Sequence, residues 1–195
     1  MVKKKSVKEE RSLPLLGEFR ALDKSFMNSE IGWETPAYFE ENMIHKLRSY
    51  QSEAVRYFHY SQVSDTFKYR NMNHVLFNMA TGSGKTDLMA GLILYMYQEL
   101  DYQNFLFIVN TDSVLNKTID NLTNPQSAKY LYQSIIEING ERIKIEPVNT
   151  FPKIQSKNTI YIKLSSVQKV ATDIYTQSEN AMGKDDYERH KVVIL

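Results

Sequence analysis

Short apolar runs recur along this chain, separated by amphipathic and polar stretches. Four of the runs are rich in Val, Ile, Phe or Tyr, which is the composition of strands buried on both faces. They are HVLFNM (74–79), NFLFIV (104–109), TIYIKL (159–164) and KVVIL (191–195). We predict that all four lie parallel in one sheet, because a helical pattern separates the first from the second.

The stretches between these runs have helical periodicity. Residues 85–100 repeat apolar side chains every three or four positions, which predicts a helix that packs a broad face on the sheet. Further helices are predicted over 113–121 and 127–138, the second closed by an Asn-Gly pair. The segment RIKIEPV (142–148) predicts an extra strand at an edge, since Pro147 would interrupt an interior ladder. The pattern as a whole predicts an α/β fold with a parallel sheet flanked by helices.

Composition excludes several classes of protein. A chain of 195 residues fits one domain, or one domain with an extension, and the absence of cysteine excludes a disulfide framework and a thiolate metal site. With 24 Lys and Arg against 23 Asp and Glu, any nucleic-acid binding must come from a local face. The longest apolar run, AGLILYMY (90–97), is far short of the ~20 residues that cross a bilayer. We therefore expect a cytoplasmic protein without a membrane partner.

The segment FNMATGSGKT (77–86) joins the first predicted strand to the first predicted helix. Small residues let backbone N–H groups close around an anion, and the helix directs its positive N-terminus to the same place. Lys85 adds a point charge, and the Thr86 hydroxyl can ligate magnesium. Met79 stands where the general pattern has its first glycine. The predicted phosphate-binding residues are Gly82, Ser83, Gly84, Lys85 and Thr86.

A glutamine upstream of this loop bears on the choice of base. LRSYQSEAVRYF (47–58) predicts a helix start in which Gln51 lies between aromatic and polar residues. A carboxamide offers both a donor and an acceptor, so it can pair with the N6 amine and N7 of adenine, whereas guanine presents the wrong pattern. Together with the loop, Gln51 predicts ATP as the nucleotide, and Arg48 is assigned to the same site.

A glutamine upstream of ATGSGKT resembles the adenine-reading motif and motif I of superfamily-two helicases, which also commonly lack the first glycine. Longer segments resemble the helicase (Res) subunit of type III restriction enzymes. They are FLFIVNTDSVLNKTIDNL (105–122), SAKYLYQSI (127–135), IYIKLSSVQKV (160–170) and SENAMGKDDYERHKVVIL (178–195). The resemblance covers roughly residues 46–195.

This resemblance implies a RecA-like domain. Residues 46–195 would be the N-terminal part of a first helicase motor domain, preceded by an extension, 1–45, that is partly disordered at its start. In that family a strand like KVVIL leads into an Asp-Glu-Ala-His box. The magnesium-binding carboxylates, the second motor domain with its arginine finger and the nuclease domain are therefore expected beyond Leu195.

The same resemblance implies a function and partners. The parent protein would be a DNA-dependent ATPase and endonuclease, with Lys85 and Thr86 in catalysis and with ATP and Mg²⁺ as cofactors. Its partners would be double-stranded DNA and a modification (methyltransferase) subunit. Because half of the catalytic machinery would lie elsewhere, we expect this chain alone to bind nucleotide without hydrolysing it.

Nucleic-acid contacts are likewise implied by the resemblance. Motifs Ia and Ib of such helicases touch the phosphates of one strand through hydroxyls, amides and helix N-termini. The matching residues here are Asn110, Thr111, Ser113, Lys117, Ser165 and Ser166. Helix capping by Asp112 or Ser113, and by Ser165, is a competing interpretation that is compatible with the first.

Other classes remain open from the sequence. A type I restriction motor subunit or a stand-alone superfamily-two helicase would fit the first hundred residues almost equally well, and a truncated nucleotide-binding interaction module is the non-enzymatic alternative. The four histidines lack a metal-ligand spacing, and no Ser/His/Asp arrangement marks a nucleophile. The sequence therefore gives the histidines no role.

Overall fold

The structure is a computed structural model that describes residues 14–22, 29, 35–70, 72, 74–109, 112–176 and 192–194. The chain divides into two compact units. The first comprises Met1–Thr35 and Ser52–Asn78, and the second comprises Pro36–Gln51 and Met79–Leu195.

The helices and strands follow one another in an order typical of α/β proteins. In chain order they are α1 (Pro14–Ala21), α2 (Ala37–Asn42), α3 (Ser49–Val63), α4 (Lys85–Leu100), β1 (Asn104–Val109), α5 (Asp112–Thr123), β2 (Ile136–Ile138), β3 (Glu141–Pro147), β4 (Thr159–Ser166), α6 (Val167–Thr176) and β5 (Val192–Ile194). The predicted helices over 85–100 and 113–121 correspond to α4 and α5.

The second unit is built around a sheet whose described strands have the order β2-β3-β4-β1-β5. The central strand β1 pairs in parallel with β4 on one side and β5 on the other, so that Asn104 lies opposite Tyr161 and Val192. β3 is also parallel to β4, and only β2 runs antiparallel to its neighbour β3 among the described pairs. Three of the four predicted strands are therefore confirmed as parallel members of one sheet.

Burial explains why the apolar runs form the centre of this unit. Phe105, Leu106 and Phe107 of β1 are buried, as are Ile160 and Ile162 of β4. Strands that carry consecutive buried apolar residues have both faces covered, which is the expected state of a parallel sheet in an α/β fold. Helix α4 buries nearly every residue from 88 to 96.

The prediction of a strand at 74–79 is wrong for this structure. The segment has no regular secondary structure, and the side chain of Leu76 is 80% exposed. A strand is stabilised by pairing and by the packing of its faces rather than by its own propensity. Within the described residues no strand pairs with this segment, so its apolar composition alone does not order it as a strand.

The predicted helix over 127–138 is also wrong. Tyr130, Leu131 and Tyr132 are buried outside any helix, Tyr132 forms an isolated bridge with Met43, and Ile136–Ile138 forms β2. The Asn-Gly pair read as a helix cap instead makes the tight turn of the β2-β3 hairpin, with φ of 54° at Asn139 and 78° at Gly140. Two consecutive positive φ values are what a two-residue hairpin turn requires.

The expectation that β3 lies at an edge is wrong as well. β3 lies between β2 and β4. Pro147 is tolerated because it is the last residue of β3, where it lies opposite Ile162. The hydrogen bond to β4 at this point comes from the next residue, since the Val148 N–H donates to the Ile162 carbonyl at 2.9 Å. A proline at the end of a strand removes no interior hydrogen bond.

The first unit has a small aromatic core. The ring of Phe19 from α1 stacks on Tyr57 of α3 at 4.5 Å between centroids and on Phe67 at 4.9 Å. Tyr60 completes the cluster. No helix in the described ranges is long and apolar enough to cross a membrane.

Candidate nucleotide-phosphate site

The loop before α4 is a hydrogen-bonded turn that contains two left-handed glycines. The Ser83 N–H donates to the Ala80 carbonyl at 3.3 Å, and the Ser83 hydroxyl donates to the same oxygen at 2.6 Å. Gly82 and Gly84 both have φ of 77°, the left-handed region that glycine adopts without strain. Gly84 is the N-cap of α4, so the loop delivers the chain directly to the positive end of that helix.

Gly84 is also enclosed by its neighbours. A Cβ at this position would lie 2.6 Å from the Gln51 Nε2 atom and 3.1 Å from the Asp87 Oδ2 atom. At Gly82, which has the same φ, a Cβ would meet nothing within 4 Å. Glycine is therefore favoured at position 84 by its positive φ and by its close neighbours, whereas at position 82 it is favoured by the positive φ alone.

Lys85 points back into the loop. Its Nζ atom donates to the carbonyl oxygens of Met79 and Ala80, each at 2.8 Å. An ammonium group has three N–H donors. Two of them hold the loop closed, which leaves the third for a ligand oxygen. Thr86, the next residue, is half-buried in the first turn of α4.

Gln51 ties the start of α3 to this loop and is only 2% exposed. Its Oε1 atom accepts from the Arg48 N–H at 2.7 Å. Its Nε2 atom donates to the Gly84 carbonyl at 2.8 Å and to the Ser83 carbonyl at 3.4 Å. The Gln51 carboxamide is therefore hydrogen-bonded to backbone groups through both of its polar atoms. For another partner it has the second lone pair of Oε1 and the N–H that makes the 3.4 Å contact with Ser83.

Tyr50 makes a second connection that sequence reasoning missed. Its hydroxyl donates to the Ser83 carbonyl at 2.7 Å and accepts from the Arg48 guanidinium at 3.1 Å. The structure thus brings Arg48 and Gln51 close to the loop, and it adds Tyr50, whose hydroxyl contacts both Arg48 and Ser83. The Tyr-Gln pair in the sequence was the available signal, but only its glutamine was given a role.

The residues predicted to touch nucleic acid are brought only partly together. Asn110 and Thr111 lie outside the described residues. Ser113 and Lys117 are exposed on α5, whereas Ser165 and Ser166 are buried where β4 ends. Because β1 and β4 are parallel neighbours that end with Val109 opposite Ser166, the starts of α5 and α6 lie at the same edge of the sheet.

Capping at this edge differs from the prediction. Ser166, not Ser165, precedes α6, and its hydroxyl accepts from the Lys169 N–H at 3.3 Å. The Ser165 hydroxyl is buried without a hydrogen-bond partner among the described residues. Two residues earlier, the Lys163 ammonium donates to the Asn149 carbonyl, and burial lowers the pKa of this lysine.

A left-handed glycine loop that ends in Lys-Thr at the start of a helix, in an α/β unit with a mostly parallel sheet, defines the class of RecA-like phosphate-loop domains. The chain belongs to the family of the type III restriction enzyme res subunit, whose family model matches residues 44–195. The α/β class and the family expected from the sequence are thereby confirmed.

A relative gives the same assignment. The Haemophilus influenzae protein described as "Probable type III restriction-modification enzyme HindVIP Res subunit" is 38% identical over 165 residues, which are 82% of this chain and 32% of that protein. The chain thus spans about a third of the length of this relative. No solved structure matches.

Proposed function

We propose that this chain is the ATP-binding part of a DNA-dependent ATPase and translocase motor. The whole protein would be the restriction subunit of a type III restriction-modification system, which cleaves foreign DNA in an ATP-dependent way. The observation that carries this proposal is the phosphate loop held by Lys85, Tyr50 and Gln51 in a member of the res subunit family. The family match favours a type III subunit over a type I motor or a stand-alone helicase.

The residues of the loop fit a nucleotide's phosphates. Gly82, Ser83 and Gly84 would present backbone N–H groups, and Lys85 would use its third N–H for a phosphate oxygen. The Thr86 hydroxyl would ligate Mg²⁺ that arrives with ATP, and this ion would neutralise charge between the β- and γ-phosphates. The N-terminus of α4 adds its dipole to the same place.

Adenine is the base we propose, and Gln51 is the residue that would read it. Its Oε1 atom accepts from one backbone N–H and has a second lone pair for the adenine N6 amine. Its Nε2 atom could donate to N7 by giving up the 3.4 Å contact with Ser83 while keeping the 2.8 Å bond to Gly84. Base recognition would thus leave the loop attached, with Arg48 positioned beside it.

The partners we propose are double-stranded DNA and the modification subunit, in the cytoplasm. The relative is described as the Res subunit of a restriction-modification enzyme. Ser113 and Lys117 are exposed on the helix that follows β1, where they could meet a phosphate backbone. Ser165 and Ser166 would contact DNA at the same edge of the sheet and would need local opening, because both are buried. Asn110 and Thr111, which lie outside the described residues, are proposed as further contacts.

The remaining catalytic parts are proposed to lie outside this chain. Residues 46–195 would form the N-terminal part of the first motor domain, after an extension that ends at 45. Phosphoryl transfer needs carboxylates to hold the metal and an arginine to stabilise the transition state, and that arginine alone is worth ~10³ to 10⁵ in rate. We therefore expect the chain to bind ATP and to show neither hydrolysis nor DNA cleavage by itself.

A coupled ATPase assay on three proteins tests this proposal. They are the 195-residue chain, the chain extended through the carboxylate box, and a protein that contains both motor domains. We expect DNA-stimulated hydrolysis only in the third, and its loss in the Lys85→Ala variant of that protein. ATP turnover by the 195-residue chain that Lys85→Ala eliminates would contradict the proposal that essential catalytic residues lie outside this chain. A two-domain protein whose ATPase activity does not respond to DNA would contradict the motor function.

A further inference from the structure

An acidic residue lies in the proposed phosphate site. Asp87 is the third residue of α4, directly after Thr86, and its Oδ2 atom lies against Gly84, 3.1 Å from where a Cβ would stand. Its Oδ1 atom is 2.8 Å from the Nδ1 atom of His45, which belongs to the same unit. The side chain of Asp87 is 24% exposed and that of His45 is 61% exposed.

This carboxylate competes with a phosphate for the same electrostatic field. A negative charge in the first turn of a helix is stabilised by the positive N-terminus, and that same N-terminus is what would hold a nucleotide's phosphates. Two anions that share one site repel each other. The site therefore needs a group that offsets the negative charge of Asp87.

The neighbouring cations are engaged with other groups. The Lys85 ammonium donates to the Met79 and Ala80 carbonyls, and the Arg48 guanidinium donates to the Tyr50 hydroxyl. Lys46 pairs with Glu40 at 3.0 Å. The His45 imidazole is the basic group that meets the Asp87 carboxylate.

We propose that His45 is a positioning residue for the nucleotide site. Its Nδ1–H donates to Oδ1 of Asp87, which fixes the orientation of the carboxylate and offsets part of its negative charge toward the phosphates. This inference rests on the proposed nucleotide binding and deepens it, because it makes the penalty for losing His45 depend on the phosphate chain and not on the base. His45 would therefore affect nucleotide affinity only through its contact with Asp87.

Calorimetric titrations of the chain with Mg-ATP, ADP and AMP test the inference. We expect His45→Ala to weaken ATP binding about twofold to fivefold, the range of an exposed pair, with smaller losses for ADP and AMP. His45→Asn should restore much of the affinity because its side-chain amide can donate in place of Nδ1. Asp87→Asn should bind ATP at least as tightly as the unmutated chain, and His45→Ala should have no effect in that background.

The matched control is Lys46→Ala, at the residue next to His45. It breaks the exposed ion pair between Lys46 and Glu40 and should leave ATP affinity unchanged. Equal losses for ATP and AMP, or an undiminished His45→Ala effect in the Asp87→Asn background, would overturn the inference while leaving nucleotide binding intact. Absence of ATP binding by the folded, unmutated chain would overturn both the inference and the proposed function.

Discussion

Replacing Gly84 by alanine measures how tightly the loop is built around Gln51. An alanine at position 84 would have to adopt φ of 77°, and its Cβ would lie 2.6 Å from Nε2 of Gln51. That amide cannot move aside cheaply, because it donates to the Gly84 carbonyl while the oxygen of the same group accepts from the Arg48 N–H. Gly82→Ala is the matched control, since it has the same φ with nothing near its Cβ.

The two substitutions separate backbone strain from steric conflict. A left-handed conformation costs a non-glycine residue about 1 to 2 kcal/mol, and this cost applies to both variants. Overpacking of a filled site adds about 1 to 3 kcal/mol, and this cost applies only to Gly84→Ala. In a chain of this size each kcal/mol lowers Tm by about 2 to 4 °C, so Gly84→Ala should melt several degrees below Gly82→Ala.

Thermal denaturation followed by circular dichroism is the assay, and Gln51→Ala supplies the second axis of a double-mutant cycle. With the Gln51 side chain removed, Gly84→Ala should cost clearly less than it does in the unmutated chain, because only the backbone strain and the 3.1 Å approach to Oδ2 of Asp87 remain. Equal shifts for the two glycine variants in the unmutated background would refute the reasoning. So would a Gly84→Ala effect that is the same with and without Gln51.

Three further substitutions probe the site and the first unit. Tyr50→Phe removes the 2.7 Å bond to the Ser83 carbonyl. At about 1 kcal/mol for such a bond, the calorimetric Kd for ATP should rise about fivefold, and an unchanged Kd would be evidence against a role of this bond in nucleotide binding. Gln51→Ala should erase much of a preference for ATP over GTP worth about 1 to 3 kcal/mol, whereas equal ATP and GTP affinities in the unmutated chain would exclude adenine reading. Burial lowers the pKa of His59 to about 4 from its usual 6.5, so the unfolded chain binds the proton first and stability falls as pH drops from 6.5 toward 4. His59→Gln should therefore flatten the decline of Tm over that window, and an identical pH profile would contradict the assignment.

The parts of the fold that could be predicted from sequence are those fixed by local pattern. Consecutive apolar residues identified β1, β4 and β5, and apolar periodicity identified α4 and α5. The wrong predictions concern segments whose secondary structure depends on pairing with residues distant in the sequence. The apolar segment 74–79 pairs with nothing among the described residues, and the Asn139-Gly140 pair suits a helix end and a hairpin turn equally well until β3 is seen to pair with β2.

The candidate site divides in the same way. The proposed phosphate loop could be recognised in the sequence because its residues are contiguous and each would supply one part of an anion site. The contacts of Tyr50 with Ser83 and of His45 with Asp87 join residues that are 33 and 42 positions apart, which no local pattern reveals. Gln51 was given a role toward the base, yet its hydrogen bonds to the loop emerge only once the chain is folded.

Direct binding of ATP tests the central claim most plainly. Isothermal titration of the chain with Mg-ATP should show saturable binding, and ATP should raise Tm by mass action. Lys85→Ala should abolish both, because the ammonium that closes the loop on the Met79 and Ala80 carbonyls would also compensate the negative charge of the phosphates. A folded chain that does not bind ATP, or a Lys85→Ala variant that binds it as tightly as the unmutated chain, would contradict the account.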